Sequence, residues 1–232
     1  MTPVVELYSA NVCPFAHRTR LTLLEKGVEF QLTEIDLNHK PDWFKNVSPY
    51  EKVPVIKHGE NRVWESAIIN EYLEEVFANP PLMPKDSGKR AIARIWIDFA
   101  NTKFITAFYK ILLIQDPEQQ QKWKEELINS LLFMETEGLG KLSGDRRFWL
   151  KNCLSLVDLT FYPWFERWAV LEHYRGLSLP ANCERLKDWW EAMSQRSSVQ
   201  QIQQSPEFYI QAYSQYAQGT ASGITAKEMK QA

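Results

Sequence analysis

Within its first 33 residues the chain lays down a strand, a helix and a second strand, an order that leaves few ways to fold. Val4-Val5-Glu6-Leu7-Tyr8 is rich in strand formers. Pro14 suits the first position of a helix, where its missing N–H costs nothing and its φ is already helical. The amphipathic segment from Phe15 to Lys26 then stops at Gly27, which supplies a left-handed cap. Val28 to Thr33 alternates apolar and polar residues at period 2, as a half-buried strand does. A strand, helix and strand this closely spaced imply parallel strands joined by a right-handed crossover.

The following residues extend the pattern. Lys40-Pro41-Asp42-Trp43-Phe44 reads as a short helical turn, and Val53-Pro54-Val55-Ile56 as a strand opening on a proline. Proline is tolerated there, and the Val53-Pro54 bond is free to be cis. His58-Gly59-Glu60-Asn61 is turn-like, Arg62-Val63-Trp64 returns antiparallel, and Ser66 is placed to cap a helix through Ile69, Tyr72, Leu73 and Val76. Asn79 to Gly88 is dense in proline, glycine and polar residues, which sets a boundary. The expected organisation is a mixed α/β domain over 1–80, a linker over 81–88, an all-helical domain over 89–217 and a loose tail over 218–232.

Beyond the linker, Lys89 to Ile114 carries one apolar stripe, and Asp116-Pro117 starts a helix whose face is Trp123, Leu127, Leu131 and Met134. Glu137 to Asp145 reads as a glycine-containing loop. Ser155-Leu156-Val157-Asp158 has the form of a capping box ahead of Phe161, Trp164, Phe165 and Trp168. Ser205-Pro206-Glu207 marks one more helix start, and most of the nine tryptophans fall in this second part.

A net charge of −2 gives no basic excess for nucleic acid. Three widely spaced cysteines, Cys13, Cys153 and Cys183, do not make a disulfide framework and suit a reducing cytoplasm. No apolar run reaches the roughly 18 residues that span a bilayer, and Met1 leads straight into a strand rather than a secretion signal. His17, His39, His58 and His173 lack ligand spacing with the cysteines, so no metal is expected.

Cys13 falls at the start of the first helix, where unpaired amides and the helix dipole favour an anion. A thiol there should ionise below the reference value of about 8.5, and the thiolate is the nucleophile. Arg18 and Arg20 add positive charge nearby or face water, and His17 reads as a helix-surface residue. Ala16 stands where a C-x-x-C pair would put its second cysteine, so redox chemistry at Cys13 needs a small-molecule thiol.

Cys13-Pro14-Phe15-Ala16, Lys40 to Phe44, Lys52-Val53-Pro54-Val55 and Trp64-Glu65-Ser66-Ala67 together resemble the cytosolic glutathione transferases, in particular the cysteine-type omega, lambda and dehydroascorbate reductase classes. The likeness runs over about residues 3–210 and is strongest in the first 80. It implies a thioredoxin-like first domain with a mixed four-stranded sheet, an all-helical second domain that helps hold the other substrate, glutathione as co-substrate, and a homodimer as a common form. It further implies Cys13 as the catalytic thiol with Phe15 beside it, and Lys40 toward a carboxylate of the tripeptide. Lys52, Val53 and Pro54 would form the edge that takes glutathione's cysteinyl backbone, with Glu65 on the γ-glutamyl ammonium and Ser66 on its carboxylate. The loop Asn46 to Glu51 lacks the glycine of the omega pattern and is closer to lambda.

The expected activity is glutathione-dependent thiol transfer or dehydroascorbate reduction, with Cys13 forming a mixed disulfide and acting on small or glutathionylated protein disulfides. Two alternatives stand beside it. One is conjugation of glutathione to apolar electrophiles, with Phe104, Phe108, Trp164 and Trp168 as candidates to line a pocket, although such stripes are more often core. The other is a non-catalytic regulator or binding protein of the same fold.

Overall fold

The computed structural model describes residues 3–144, 146–151 and 153–231, and the chain divides into two compact units, Met1–Met83 and Pro84–Ala232. The first unit runs β1 (Val5–Ser9), α1 (Pro14–Glu25), β2 (Phe30–Glu34), α2 (Phe44–Val47), β3 (Val55–His58), β4 (Asn61–Trp64) and α3 (Ser66–Val76). Its sheet has the order β2-β1-β3-β4, with β1 and β2 parallel and the other pairs antiparallel. This is the thioredoxin-like arrangement with a four-stranded mixed sheet.

Period-2 alternation sends the β1 side chains to two cores. Val5 and Leu7 pack with Leu23 of α1, Ile56 of β3, and Ile69 and Leu73 of α3. Tyr8, with Val55, packs with Phe44 and Val47 of α2 and with Ala16. Burying one such aliphatic side chain contributes about 1.5–3 kcal/mol, so the sheet is held from both faces. Gly27 takes φ 62 just past the end of α1, as a left-handed helix stop requires. The Lys40 to Phe44 helix begins later than expected: Pro41 to Trp43 form a turn, closed by the Phe44 N–H on the Pro41 carbonyl at 2.9 Å, and α2 follows.

The proline-rich boundary is held down along its first part. Lys26 Nζ lies 2.6 Å from Glu74 and donates to the carbonyls of Phe77 at 2.7 Å and Pro80 at 3.0 Å. Glu74 in turn accepts the N–H groups of Leu82 and Met83 at 2.9 and 3.1 Å. A buried ion pair is worth keeping only when its remaining hydrogen-bonding capacity is filled, and here the backbone of residues 77–83 fills it.

The second unit is helical: α4 (Ser87–Phe99), α5 (Ile105–Leu113), α6 (Pro117–Phe133), α7 (Leu156–Glu166), α8 (Trp168–Arg175), α9 (Glu184–Ser194), α10 (Ser197–Gln200), α11 (Pro206–Ala212), α12 (Ser214–Ala217) and α13 (Ile224–Gln231). Asp86, Asp116 and Ser205 cap α4, α6 and α11 by accepting N–H groups three residues on. A π-helical stretch, Ala100–Phe104, joins α4 to α5.

Two expectations are corrected here. Glu137 to Asp145 is not a loop throughout, because α6 continues into a second π-helical stretch, Met134–Ser143. Gly138 lets this stretch lie against Trp149, since a Cβ there would come within 2.4 Å of the indole. Asp145, the end of the expected loop, lies outside the described residues. The expected loose tail also carries structure: α13 packs on α5, with Ala226 fully buried and Lys230 Nζ on the carbonyls of Gly219 and Ala221 at 2.8 and 3.2 Å. One buried alanine in a glycine-, serine- and threonine-containing segment is too weak an apolar pattern to signal a packed helix. Ala232, the last residue of that expected tail, and Met1, at the start of the first domain, lie outside the described residues.

Candidate functional site

Cys13 is the N-cap residue of α1, with extended φ −83 and ψ 116, and Pro14 occupies the first helical position. Its side chain makes no capping hydrogen bond to the first-turn amides. The turn before it closes with the Cys13 N–H on the Ala10 carbonyl at 2.9 Å. Cys13 is half-buried against the core cluster of Tyr8, Phe44 and Val55, and its Sγ–H points to the Val53 carbonyl at 3.7 Å. Two segments 40 residues apart therefore meet at the sulfur. The Val53-Pro54 bond is cis, and Val53 lies two residues ahead of β3, outside its ladder with β1.

The second helix start is built differently from the sequence expectation. Ser66 is the first residue of α3 rather than its cap, and Glu65 takes the cap position at φ 69, ψ 113. Glu65 offers no side-chain cap to the first-turn amides either. A helix N-terminus of this kind attracts an anion through its amides and dipole. Ser66 is buried, and its Oγ accepts a hydrogen bond from Arg18 Nη1 at 3.3 Å. One turn further on, Asn70 Oδ1 accepts from Thr19 Oγ1 at 3.1 Å, so α1 and α3 are joined by polar side chains directly behind the site.

The positive φ of Glu65 is unfavourable for a residue with a side chain and costs on the order of 1–3 kcal/mol. Glu65→Gly should thus leave thermal stability unchanged or raise it by up to about 2 kcal/mol. Thermal melting checks this, and a variant less stable by more than about 1 kcal/mol would show that the strain is not there.

The remaining expected site residues lie on the loop before β3. Lys40 Nζ donates to the Glu51 carbonyl at 2.8 Å, which fixes the ammonium beside Lys52. Lys52 donates its N–H to Ser48 Oγ at 2.9 Å, accepts the Ser48 hydroxyl on its carbonyl at 2.7 Å, and sets its ammonium over the Tyr50 ring. Phe15 is half-buried beneath the Arg18 guanidinium, 5.3 Å from its ring centroid. The structure links Cys13 to Val53, Phe15 through Arg18 to Ser66, and Lys40 through Glu51 to Lys52.

Three readings of α1 change. His17 is buried rather than on the helix surface, and Arg18 is buried rather than facing water. Arg20 donates to Asn11 Oδ1, and the Asn11 N–H donates to Glu34 at 2.5 Å, clasping the turn ahead of Cys13. The sequence carried a sign of Arg18's position: it follows Pro14 by four and precedes Leu21 by three, which places it on the buried stripe of the helix.

Phe104, Phe108, Trp164 and Trp168 are all fully buried. Phe104 stacks on Phe165 with centroids 5.7 Å apart, and Phe108 meets Trp168 edge-on at 6.4 Å. They are core of the second unit, and the pocket expectation for them is withdrawn. A cavity of about 590 Å³ in that unit is walled instead by Arg146, Arg147, Arg185, Glu184, Asp188 and Glu191, a lining unsuited to an apolar electrophile. Of the other thiols, Cys153 is exposed and Cys183 is buried at the start of α9, where burial first and then Glu135 push it up to about 11. Among the described residues no group of histidine, cysteine and acidic side chains could hold a metal ion, and no helix is long and apolar enough to cross a membrane.

A family model, "Glutathione S-transferase, N-terminal domain", matches residues 12–76, which include Cys13, Val53, Glu65 and Ser66. "Glutathione S-transferase U28" of Arabidopsis thaliana is 33% identical over 189 residues, covering 80% of this chain and 82% of that protein. "Glutathione S-transferase omega-1" of Sus scrofa is 30% identical over 204 residues, covering 88% and 82%. The crystal structure of rice GST1 (OsGSTU1) in complex with glutathione superposes with a TM-score of 0.83 at 28% identity, over 95% of this chain and 99% of that one. The sheet order, the two helix starts and these matches over most of both chains lead to one conclusion: this chain belongs to the glutathione S-transferase family.

Proposed function

We propose that the protein is a glutathione-dependent thiol transferase or dehydroascorbate reductase that works through a mixed disulfide on Cys13. The observation that carries this reading is the position of Cys13: a half-buried thiol at the N-cap of α1 with its Sγ–H on the Val53 carbonyl. A cysteine there can bond to glutathione, whereas a hydroxyl residue could only stabilise glutathione's own thiolate.

In the first step the Cys13 thiolate attacks the glutathionyl sulfur of R–S–SG. The Cys13–SG bond forms as the R–SG bond breaks, and RS⁻ leaves to be protonated by solvent. In the second step the thiolate of a free glutathione attacks the same sulfur, giving oxidised glutathione and regenerating the Cys13 thiolate. With dehydroascorbate, two glutathiones supply the two electrons and two protons that make ascorbate. The uncapped amides of α1 favour the thiolate both as attacking and as leaving group.

In this reading glutathione lies with its cysteinyl backbone antiparallel to Val53, its γ-glutamyl carboxylate at Ser66 and the first amides of α3, and its ammonium at Glu65. Lys40 and Lys52 face the glycyl carboxylate. The support is the Val53 backbone standing ahead of β3 and outside its ladder, together with an acid next to a helix start, a charge pattern matching the glutamyl zwitterion. Small disulfides, dehydroascorbate and glutathionylated proteins are the substrates; the protein works in the cytoplasm, and homodimers are its assembled form.

Mass spectrometry of the protein treated with oxidised glutathione tests the mechanism. Cys13 should take up one glutathionyl group, and Cys183, whose thiol is pushed up to about 11, should take up none. An unmodified Cys13 would refute the mixed-disulfide route. Conjugation of glutathione to electrophiles is kept as a second reading because the plant U28 protein matches at least as well as the omega-1 protein. Rates on hydroxyethyl disulfide and on a chloronitrobenzene separate the two, and absence of glutathione binding would leave only the non-catalytic reading.

A further inference from the structure

We infer that the polar cavity beside α9 is a binding site for short zwitterionic peptides, with Arg147 and Arg185 taking their carboxylates and Glu184, Asp188 and Glu191 their ammonium groups. The site lies within the second unit and is independent of the proposed glutathione site.

At 3.6 residues per turn, Glu184, Asp188 and Glu191 fall on one side of α9, and all three line the cavity. Arg146 and Arg147, on the segment that follows the left-handed Gly144, line it as well. Both signs of charge therefore border one space of about 590 Å³, within the roughly 300–1,000 Å³ of small-molecule sites. They do not neutralise one another there. Glu184, Asp188, Glu191 and Arg147 are exposed, and none of the four side chains makes a hydrogen bond or ion pair among the described residues. A ligand of one sign would be attracted by part of this lining and repelled by the rest, whereas a ligand carrying both signs can pair with all of it.

The start of α9 is not the anion-binding part, because the Arg185 and Leu186 N–H groups are held by the Glu135 carboxylate at 2.9 and 2.8 Å. The guanidinium of Arg185 is available instead and is already oriented: its Nη1 donates to Ser143 Oγ at 3.0 Å. One positive charge of the wall is thus fixed before a ligand arrives. The floor is Leu139 and the Trp189 ring, whose N–H is committed to Asp158 at 2.9 Å. A floor without donors leaves recognition to the charged walls and strengthens attraction across them.

Calorimetric titration of the full chain at low salt uses three peptides. Lys-Gly-Glu carries both signs of charge, Lys-Gly-Gln-amide only the cationic ones and acetyl-Gln-Gly-Glu only the anionic ones. Lys-Gly-Glu should bind with Kd on the order of 0.1 mM, and each analogue about tenfold more weakly. Salt at about 0.5 M should weaken Lys-Gly-Glu at least threefold, since the charges are exposed to screening. Arg147→Ser should weaken Lys-Gly-Glu about fivefold and leave Lys-Gly-Gln-amide unchanged. Glu191→Gln should weaken Lys-Gly-Glu to the same extent and leave acetyl-Gln-Gly-Glu unchanged.

That crossed pattern separates charge pairing from a loosened fold, which would weaken every peptide alike. Circular dichroism establishes that each variant folds, and Arg147→Gln replaces Arg147→Ser if the serine variant does not. No binding of Lys-Gly-Glu at about 10 mM would overturn the inference, as would equal binding of all three peptides or binding that salt does not weaken. Variants that keep the parent's affinity for Lys-Gly-Glu, or that lose all three peptides together, would overturn it too, and the glutathione site would stand in every one of these cases.

Discussion

Cys13→Ser should lower the rate on hydroxyethyl disulfide or dehydroascorbate by about three orders of magnitude, the scale on which removal of a covalent nucleophile acts. The loss should be chemical alone. Serine is a preferred N-cap and cysteine is not, and Cys13 makes no capping hydrogen bond to lose. A serine Oγ at that position can accept the amide of the second or third helical residue, so thermal stability should hold or rise by up to about 1 kcal/mol. Conjugation of glutathione to a chloronitrobenzene should survive or increase, since a hydroxyl can hold glutathione's own thiolate. Steady-state rates on both substrates and a melting curve give the full answer. Retained disulfide reduction in the serine variant would end the mixed-disulfide mechanism, and loss of both activities with a lowered melting temperature would mean that the substitution harmed the fold.

The first unit was legible because local rules and tertiary structure agree there. Pro14 at the first helical position, Gly27 at the stop, and the β1–α1–β2 spacing each require what the sheet then shows. The isomer of the Val53-Pro54 bond was open from sequence and is cis in the structure. Glu65 was misread for a physical reason: Ser66 has the better capping propensity, yet the structure holds Glu65 in the cap position at a positive φ that propensity disfavours. Departures of this kind are expected at ligand sites, where a strained backbone aims a side chain at something other than the protein. Arg18 was missed because a charged residue on a buried stripe is normally a surface residue out of phase. In the second unit the aromatic stripe was visible, but helical periodicity cannot tell a core wall from a pocket wall; the stacking of Phe104 on Phe165 decides for core.

Asp158→Ala should cost about 3–5 kcal/mol, enough to empty much of the stability of an ordinary domain. Asp158 is fully buried at the third position of α7. One carboxylate oxygen accepts the Trp149 N–H at 3.0 Å and the Trp189 indole N–H at 2.9 Å, and the other accepts the Ser155 N–H at 2.8 Å and its hydroxyl at 2.6 Å. Burial pushes the carboxyl above its usual range while these donors, Ser155 first, pull it back. One side chain thereby ties the start of α7 to α9 and to the segment bearing Trp149, which stacks on Phe161 with centroids 4.8 Å apart. Alanine strands three N–H groups in the core at about 1–3 kcal/mol each, partly relieved by water or relaxation. Asp158→Asn keeps one acceptor but turns an amide N–H₂ toward donors, so it should fall between parent and alanine. Chemical denaturation with tryptophan fluorescence reads the series directly, and a loss below about 1 kcal/mol for alanine would mean that the four hydrogen bonds do not act together.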